Sequence, residues 1–120
     1  MIKVFIVDDH EIIREGLKKI LKEESDFVVV AEAQDGVEAL EKIQHTDCDI
    51  MLLDMNMPGR SGIDLLSDLK VVKPQLHILV LSIHPEDKFA LRTLKAGASG
   101  YLCKDTALDE LVIAIRKIHS

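Results

Sequence analysis

Short apolar runs alternate along this chain with longer stretches in which apolar residues recur every three or four positions. Residues 2–7, 27–33, 49–54, 77–82 and 100–103 are runs of strand length. The near-continuous apolar character of Ile2 to Val7 and of Ile50-Met51-Leu52-Leu53 belongs to strands covered on both faces. Between these runs, residues 11–24, 36–45, 63–72, 86–96 and 108–119 carry helical spacing. Ile13, Leu17, Ile20 and Leu21 form one stripe, and Leu108, Leu111, Val112, Ile115 and Ile118 form another. Asp105 and Thr106 suit the start of the last helix, and Gly97 the end of the fourth. Pro58, Pro74 and Pro85 fall in connections, where they remove no ladder bond. Strict alternation predicts right-handed crossovers and a doubly wound α/β domain with a parallel five-stranded sheet. The second run ends in Glu32 and is expected to be less covered, nearer an edge.

Composition narrows the picture. A chain of 120 residues is one domain, 1–120, with room for its own core. Hydrophobic residues make up 48% and aromatic ones only 3%, so the core must be aliphatic. With 21 acids against 15 bases there is no basic face, and this segment is not expected to bind nucleic acid by itself. Cys48 and Cys103 show no metal-type spacing and read as reduced thiols. No run approaches the roughly 20 apolar residues of a membrane span, and residues 1–7 are too short for a secretory leader. A cytoplasmic location with no membrane contact is the expectation.

The chemistry lies where the strands stop. In open α/β sheets the ligand crevice lies beyond the carboxyl ends of the strands. The first strand ends on Asp8-Asp9, the third on Asp54 and the fourth on Ser82, while Lys104 follows the fifth. Three carboxylates on one rim repel each other unless a cation or a shared proton intervenes. A carboxylate cluster suits a hard cation such as Mg²⁺, which prefers oxygen ligands and bridges to phosphate. A lysine and a hydroxyl then suit the remaining oxygens of a phosphoryl group.

In this arrangement the whole chain resembles the receiver domain of bacterial two-component response regulators. The matching segments are Val7-Asp8-Asp9-His10, Leu53-Asp54-Met55-Asn56-Met57-Pro58-Gly59 with Ser61-Gly62, Leu81-Ser82, and Ala96 to Asp105. The Asp-Asp-His opening and the Gly-Ala-Ser-Gly-Tyr-Leu stretch are most similar to the subfamily with LuxR-type helix-turn-helix output domains. The resemblance implies a flavodoxin-like receiver fold with strand order 2-1-3-4-5. It implies that Asp54 accepts phosphate from a sensor histidine kinase, and that Asp9 and Asp54 ligate Mg²⁺. Asp8 would act on the ion through water, and Asn56 through its backbone carbonyl. Lys104 and Ser82 would hold phosphoryl oxygens, and Tyr101 would turn inward as a switch. An output domain, DNA through it, and a phosphorylation-linked homodimer are the further partners implied.

Two positions depart from the commonest receiver pattern. Ile83 stands where a small residue usually follows the hydroxyl, with His84 after it, and these two are expected to modulate access to the phosphate. Asp105 follows the lysine where many receivers have proline, so a cis-proline bond is ruled out there. His10 and His84 both lie near the rim; a transition-metal role is open to them, solvated loop histidine being the ordinary alternative. Asp8 is also a candidate cap for the first helix. A dehalogenase-like phosphatase would need a second Asp two residues after the nucleophile, where this chain has Asn56. A flavodoxin-like cofactor binder would need a Gly/Ser/Thr-rich loop after the first strand, and this one is acidic. A free-standing receiver, relaying phosphate or docking to a partner, is the alternative within the class. Beyond accepting and slowly releasing phosphate, no enzymatic turnover is expected.

Overall fold

The computed structural model describes residues 1–57, 61–83, 87–104 and 107–120, with side chains left undescribed at 87–89 and 107–109. The predicted roles of Pro58, Gly59, His84, Pro85, Glu86, Asp105 and Thr106 therefore lie outside the described residues. Five strands and five helices alternate: β1 (Ile2–Val7), α1 (Glu11–Lys22), β2 (Phe27–Ala33), α2 (Gly36–Ile43), β3 (Ile50–Asp54), α3 (Gly62–Val72), β4 (His77–Ser82), α4 (Asp87–Lys95), β5 (Gly100–Cys103) and α5 (Ala107–His119). All neighbouring strands are parallel, in the order β2-β1-β3-β4-β5. This is the doubly wound sheet the alternation predicts, with β2 at an edge.

The two-residue period of the strands sorts the aliphatic side chains into two cores. Phe5, Val7, Met51, Leu53, Ile78 and Val80 point to one face, where Ala39 and Ile43 of α2 and Leu65, Leu66 and Leu69 of α3 cover them. Val4, Ile6, Ile50, Leu52, Leu79 and Leu81 point to the other, beneath Leu17 and Leu21 of α1 and Leu111 and Ile115 of α5. The central strand β3 is buried along its whole length, Asp54 included. On the edge strand, Val28 and Val30 are exposed. A register shift between Val4 and Phe5 disrupts the β1–β2 ladder there, one of the ways sheet edges are made poor templates.

Several ends differ from the sequence expectation for local reasons. Asp49 stands outside β3, because its carboxylate accepts the Lys3 amide at 2.8 Å and its own amide donates to the Lys3 carbonyl. Helix α1 stops at Lys22: the Glu24 amide turns back to the Leu21 carbonyl, tightening the chain toward Phe27. Helix α2 stops at Ile43, where the His45 amide similarly reaches the Lys42 carbonyl. Gly97 follows α4 with φ of 115°, a conformation that costs glycine little and favours it at a helix end.

Candidate functional site

The register decides what the rim contains. β1 and β3 run side by side, with Val7 opposite Leu53, so Asp8 and Asp54 emerge one step further on. Both continue the alternation of Ile6 and Leu52 and so leave the sheet on the α1/α5 side. On the next strand, Leu81 stands opposite Asp54, and Ser82 ends β4 opposite Cys103 of β5. The Lys104 amide donates to the Ser82 carbonyl at 2.7 Å, and this fixes where the lysine leaves the sheet.

From there the Lys104 ammonium lies 3.0 Å from Asp54 Oδ1 and 3.4 Å from Asp8 Oδ2. Asp8 and Asp54 are each only 1% exposed. Asp54 Oδ1 also accepts the Asn56 amide at 2.9 Å. Asp54 Oδ2 is buried without a hydrogen-bond partner among the described residues; Asp8 Oδ2 and Asp9 Oδ1, also buried without a hydrogen bond, have charge contacts only, with Lys104 at 3.4 Å and with His10 Nδ1 at 3.0 Å. Burial holds the Asp54 carboxyl above its ordinary range; the Asn56 amide and the Lys104 ammonium oppose this, and the neighbouring Asp8 charge adds to it. One donor atom from each of Asp8, Asp9, His10 and Asp54 lies within 4.8 Å of the others. A carboxylate cluster with buried, unfulfilled oxygens is a fit for a hard divalent cation. Asp8, Asp9 and Asp54 are the residues that would hold it.

The other predicted residues fall around this centre. Ser82 is fully buried, while Ile83 is 56% exposed beside the site. Tyr101 is half-buried and packs against the core beneath α2 and α3. The capping role considered for Asp8 is corrected. His10 occupies the N-cap of α1 and makes no side-chain cap bond, whereas Asp8 Oδ1 accepts the His10 amide at 2.8 Å.

Two contributors escape sequence reasoning. The Asn56 side-chain oxygen accepts the Ile83 amide at 3.0 Å, tying the chain after β3 to the chain after β4. Arg14 donates to the Asp8 carbonyl at 2.7 Å and pairs with Glu32 at 3.2 Å, bracing the end of β1 from α1. Nothing in local spacing marks either contact. The partners lie 27 and 18 positions away for the Asn56 and Glu32 contacts. Around the rim, Ile12, Ile13 and Ile83 join Asp9, His10, Glu11 and Lys104 in lining an open cleft of about 670 Å³.

The carboxyl edge of an open parallel sheet thus carries clustered carboxylates and a lysine. Residues 4–116 match the response regulator receiver domain family, and the chain belongs to that family. It is 41% identical over 117 residues to the transcriptional regulatory protein DegU of Brevibacillus brevis, covering 98% of this chain and 50% of that protein. It superposes with TM-score 0.92 and 37% identity on a LuxR-family two-component response regulator from Aurantimonas sp. SI85-9A1, covering 98% and 84% of the two chains. The isolated REC domain of RcsB from Salmonella enterica serovar Typhimurium, solved in the presence of phosphomimetic BeF3-, matches with TM-score 0.86 and 28% identity, over 97% and 88%. The sheet has the flavodoxin-like receiver fold of these relatives. The chain spans about half the length of the curated relatives it matches. Among the described residues, no helix is long and apolar enough to cross a membrane.

Proposed function

We propose that this domain is a phosphorylation-controlled switch in which Asp54 takes a phosphoryl group from the phosphohistidine of a sensor kinase. The observation that carries this reading is the Lys104 ammonium bridging Asp54 and Asp8, beside an Asp54 Oδ2 left without a hydrogen-bond partner. The free oxygen is the nucleophile. Its lone pair forms the new O–P bond while the P–N bond of the donor breaks, and that electron pair stays on the departing imidazole. Lys104, already against the carboxylate, then neutralises a phosphoryl oxygen. Ser82, at the end of the adjacent strand, donates its hydroxyl to another. Asp9 and Asp54, with Asp8 through water and the Asn56 carbonyl, would hold Mg²⁺. The ion supplies charge neutralisation on the transferring oxygens when bound. Positioning and electrostatics do most of the work in such a transfer.

Pulling Ser82 toward the phosphate opens space beside β4, and Tyr101, opposite Val80 in the register, is the side chain placed to fill it. The surface of α4, β5 and α5 then changes shape and serves as output face. Shifting a population from 1:99 to 99:1 takes about 5.5 kcal/mol, which a few charge-assisted hydrogen bonds at about 1.5–3 kcal/mol each supply. The kinship with a transcriptional regulator twice the length of this chain supports an output through a DNA-binding domain, hence control of transcription. The apolar side chains Ile12, Ile13 and Ile83 around the cleft suit the seat of the phosphodonor protein.

Incubation with acetyl phosphate and Mg²⁺ followed by intact-mass measurement tests the reading. Wild type gains one hydroxylamine-labile phosphoryl adduct, and Asp54→Asn gains none. A labile adduct of equal yield in the variant would move the acceptor elsewhere.

A further inference from the structure

Among the described residues, the acidic cluster contains one nitrogen ligand, His10, for which an all-oxygen Mg²⁺ site has no use. His10 Nδ1 lies 3.0 Å from Asp9 Oδ1 and 3.3 Å from Asp8 Oδ1. The residue is the N-cap of α1, yet its side chain makes no capping bond, so helix structure does not account for the ring's position. The backbone does account for it: the His10 amide donates to Asp8 Oδ1 and draws the ring over the carboxylates. On the far side of the cluster, Asp54 is buried and its Oδ2 has no hydrogen-bond partner among the described residues.

We propose that His10 turns this rim into a mixed nitrogen–oxygen site that takes a borderline divalent cation of the Zn²⁺ or Co²⁺ type, with the imidazole as a direct ligand. The inference rests on the reading that the carboxylates hold a divalent cation at all. Softness favours it: imidazole suits Zn²⁺, Co²⁺ and Ni²⁺, whereas Mg²⁺ is served by carboxylate, carbonyl and water. Geometry permits it. Bonds of about 2.0–2.2 Å place donor atoms roughly 3–4.4 Å apart around one ion. The four donors here lie within 4.8 Å of one another. Closing the set takes side-chain movement toward a common centre, and the His10 side chain, 63% exposed, is free to make it. A borderline ion seated this way occupies the oxygens that phosphoryl transfer requires. The domain would then respond to the identity of the available cation as well as to its phosphodonor.

The ordinary alternative is that His10 only hydrogen-bonds to the carboxylates. Calorimetric titration with Mg²⁺ and with Co²⁺, together with the visible spectrum of the Co²⁺ form, separates the two in wild type, His10→Ala, His10→Gln and Asp9→Asn. The expected result is Co²⁺ binding weakened about tenfold or more in both His10 variants, with a changed ligand-field spectrum and Mg²⁺ affinity altered less than about twofold. Asp9→Asn loses both ions. Unchanged Co²⁺ affinity and spectrum in the His10 variants, with Mg²⁺ still bound through Asp9, overturns this inference alone. Wild type binding neither ion at the carboxylates overturns it together with the reading beneath it.

Discussion

The two rims of the sheet are built to opposite standards. At the amino ends of the strands, charges meet partners. Lys3 pairs with Asp47 at 2.8 Å. Arg116 reaches Glu24 and Asp26 at 2.8 and 2.9 Å and lies over the Phe27 ring. Lys70 closes on the carbonyls of Pro74 and Leu76. At the carboxyl ends, two carboxylates share one ammonium, a third lies beside them, and three buried oxygens lack a hydrogen bond among the described residues. The same fold that satisfies one edge leaves the other incomplete. Sites that break local rules are where function is expected, because ligand and not protein completes them.

The contrast yields measurable consequences, the largest at the lysine. Lys104→Ala removes the fixed cation from the acceptor, and phosphorylation by acetyl phosphate slows about 10²–10³-fold, the usual effect of losing one oxyanion-stabilising donor. A rate within a factor of two of wild type would deny Lys104 that role. Next comes stability. Asp54→Asn relieves a buried carboxylate and stabilises the metal-free domain by on the order of 1 kcal/mol, read from urea unfolding. Asp47→Asn at the opposite rim does the reverse and lowers stability.

Their pH dependences run in opposite directions. Asp54 titrates above its ordinary 3.8 in the folded chain, so folding favours its protonated form. That contribution is complete below 3.8 and is lost as pH rises through the folded value. The advantage of Asn at position 54 opens over the same interval and closes below it. Asp47 is held below 3.8, chiefly by its hydrogen bond from Lys3. Its contribution is present above 3.8 and is lost as pH falls through the folded value. Unfolding curves at several pH values compare the two signs directly, and equal signs would erase the distinction between the rims.

A smaller effect is expected at Ile83, whose side chain stands at the mouth of the site. Ile83→Ala hastens loss of the phosphoryl group a few-fold by widening the approach of water; equal lifetimes remove the gating role. The smallest belongs to Cys48 at the amino rim. Burial pushes its thiol up to about 11, so alkylation near neutral pH is slower in the folded chain than in urea.

Much of this was legible before the structure. The strands 2–7, 27–33, 77–82 and 100–103 have the limits read from the apolar runs; for β1 and β4, inside the sheet, a run buried on both faces has no other place to go. Strand ends then named Asp8, Asp9, Asp54, Ser82 and Lys104, since parallel strands deliver their last residues to one edge. Helix ends were less legible, and the tight turns after Lys22 and Ile43 arise from hydrogen bonds that spacing does not encode. Least visible were the roles of Arg14 and of the Asn56 side chain. A polar residue on a helix or in a loop looks alike whether it faces water or a distant carbonyl, and only the packed sheet distinguishes these cases.

The most direct measurement is the unfolding midpoint as Mg²⁺ is added, in wild type and in Asp9→Asn. If a cation completes the carboxyl rim, wild type gains about 1.4 kcal/mol at roughly ten times the Kd, while Asp9→Asn gains little. Identical responses in the two proteins, or none in wild type, would contradict the account.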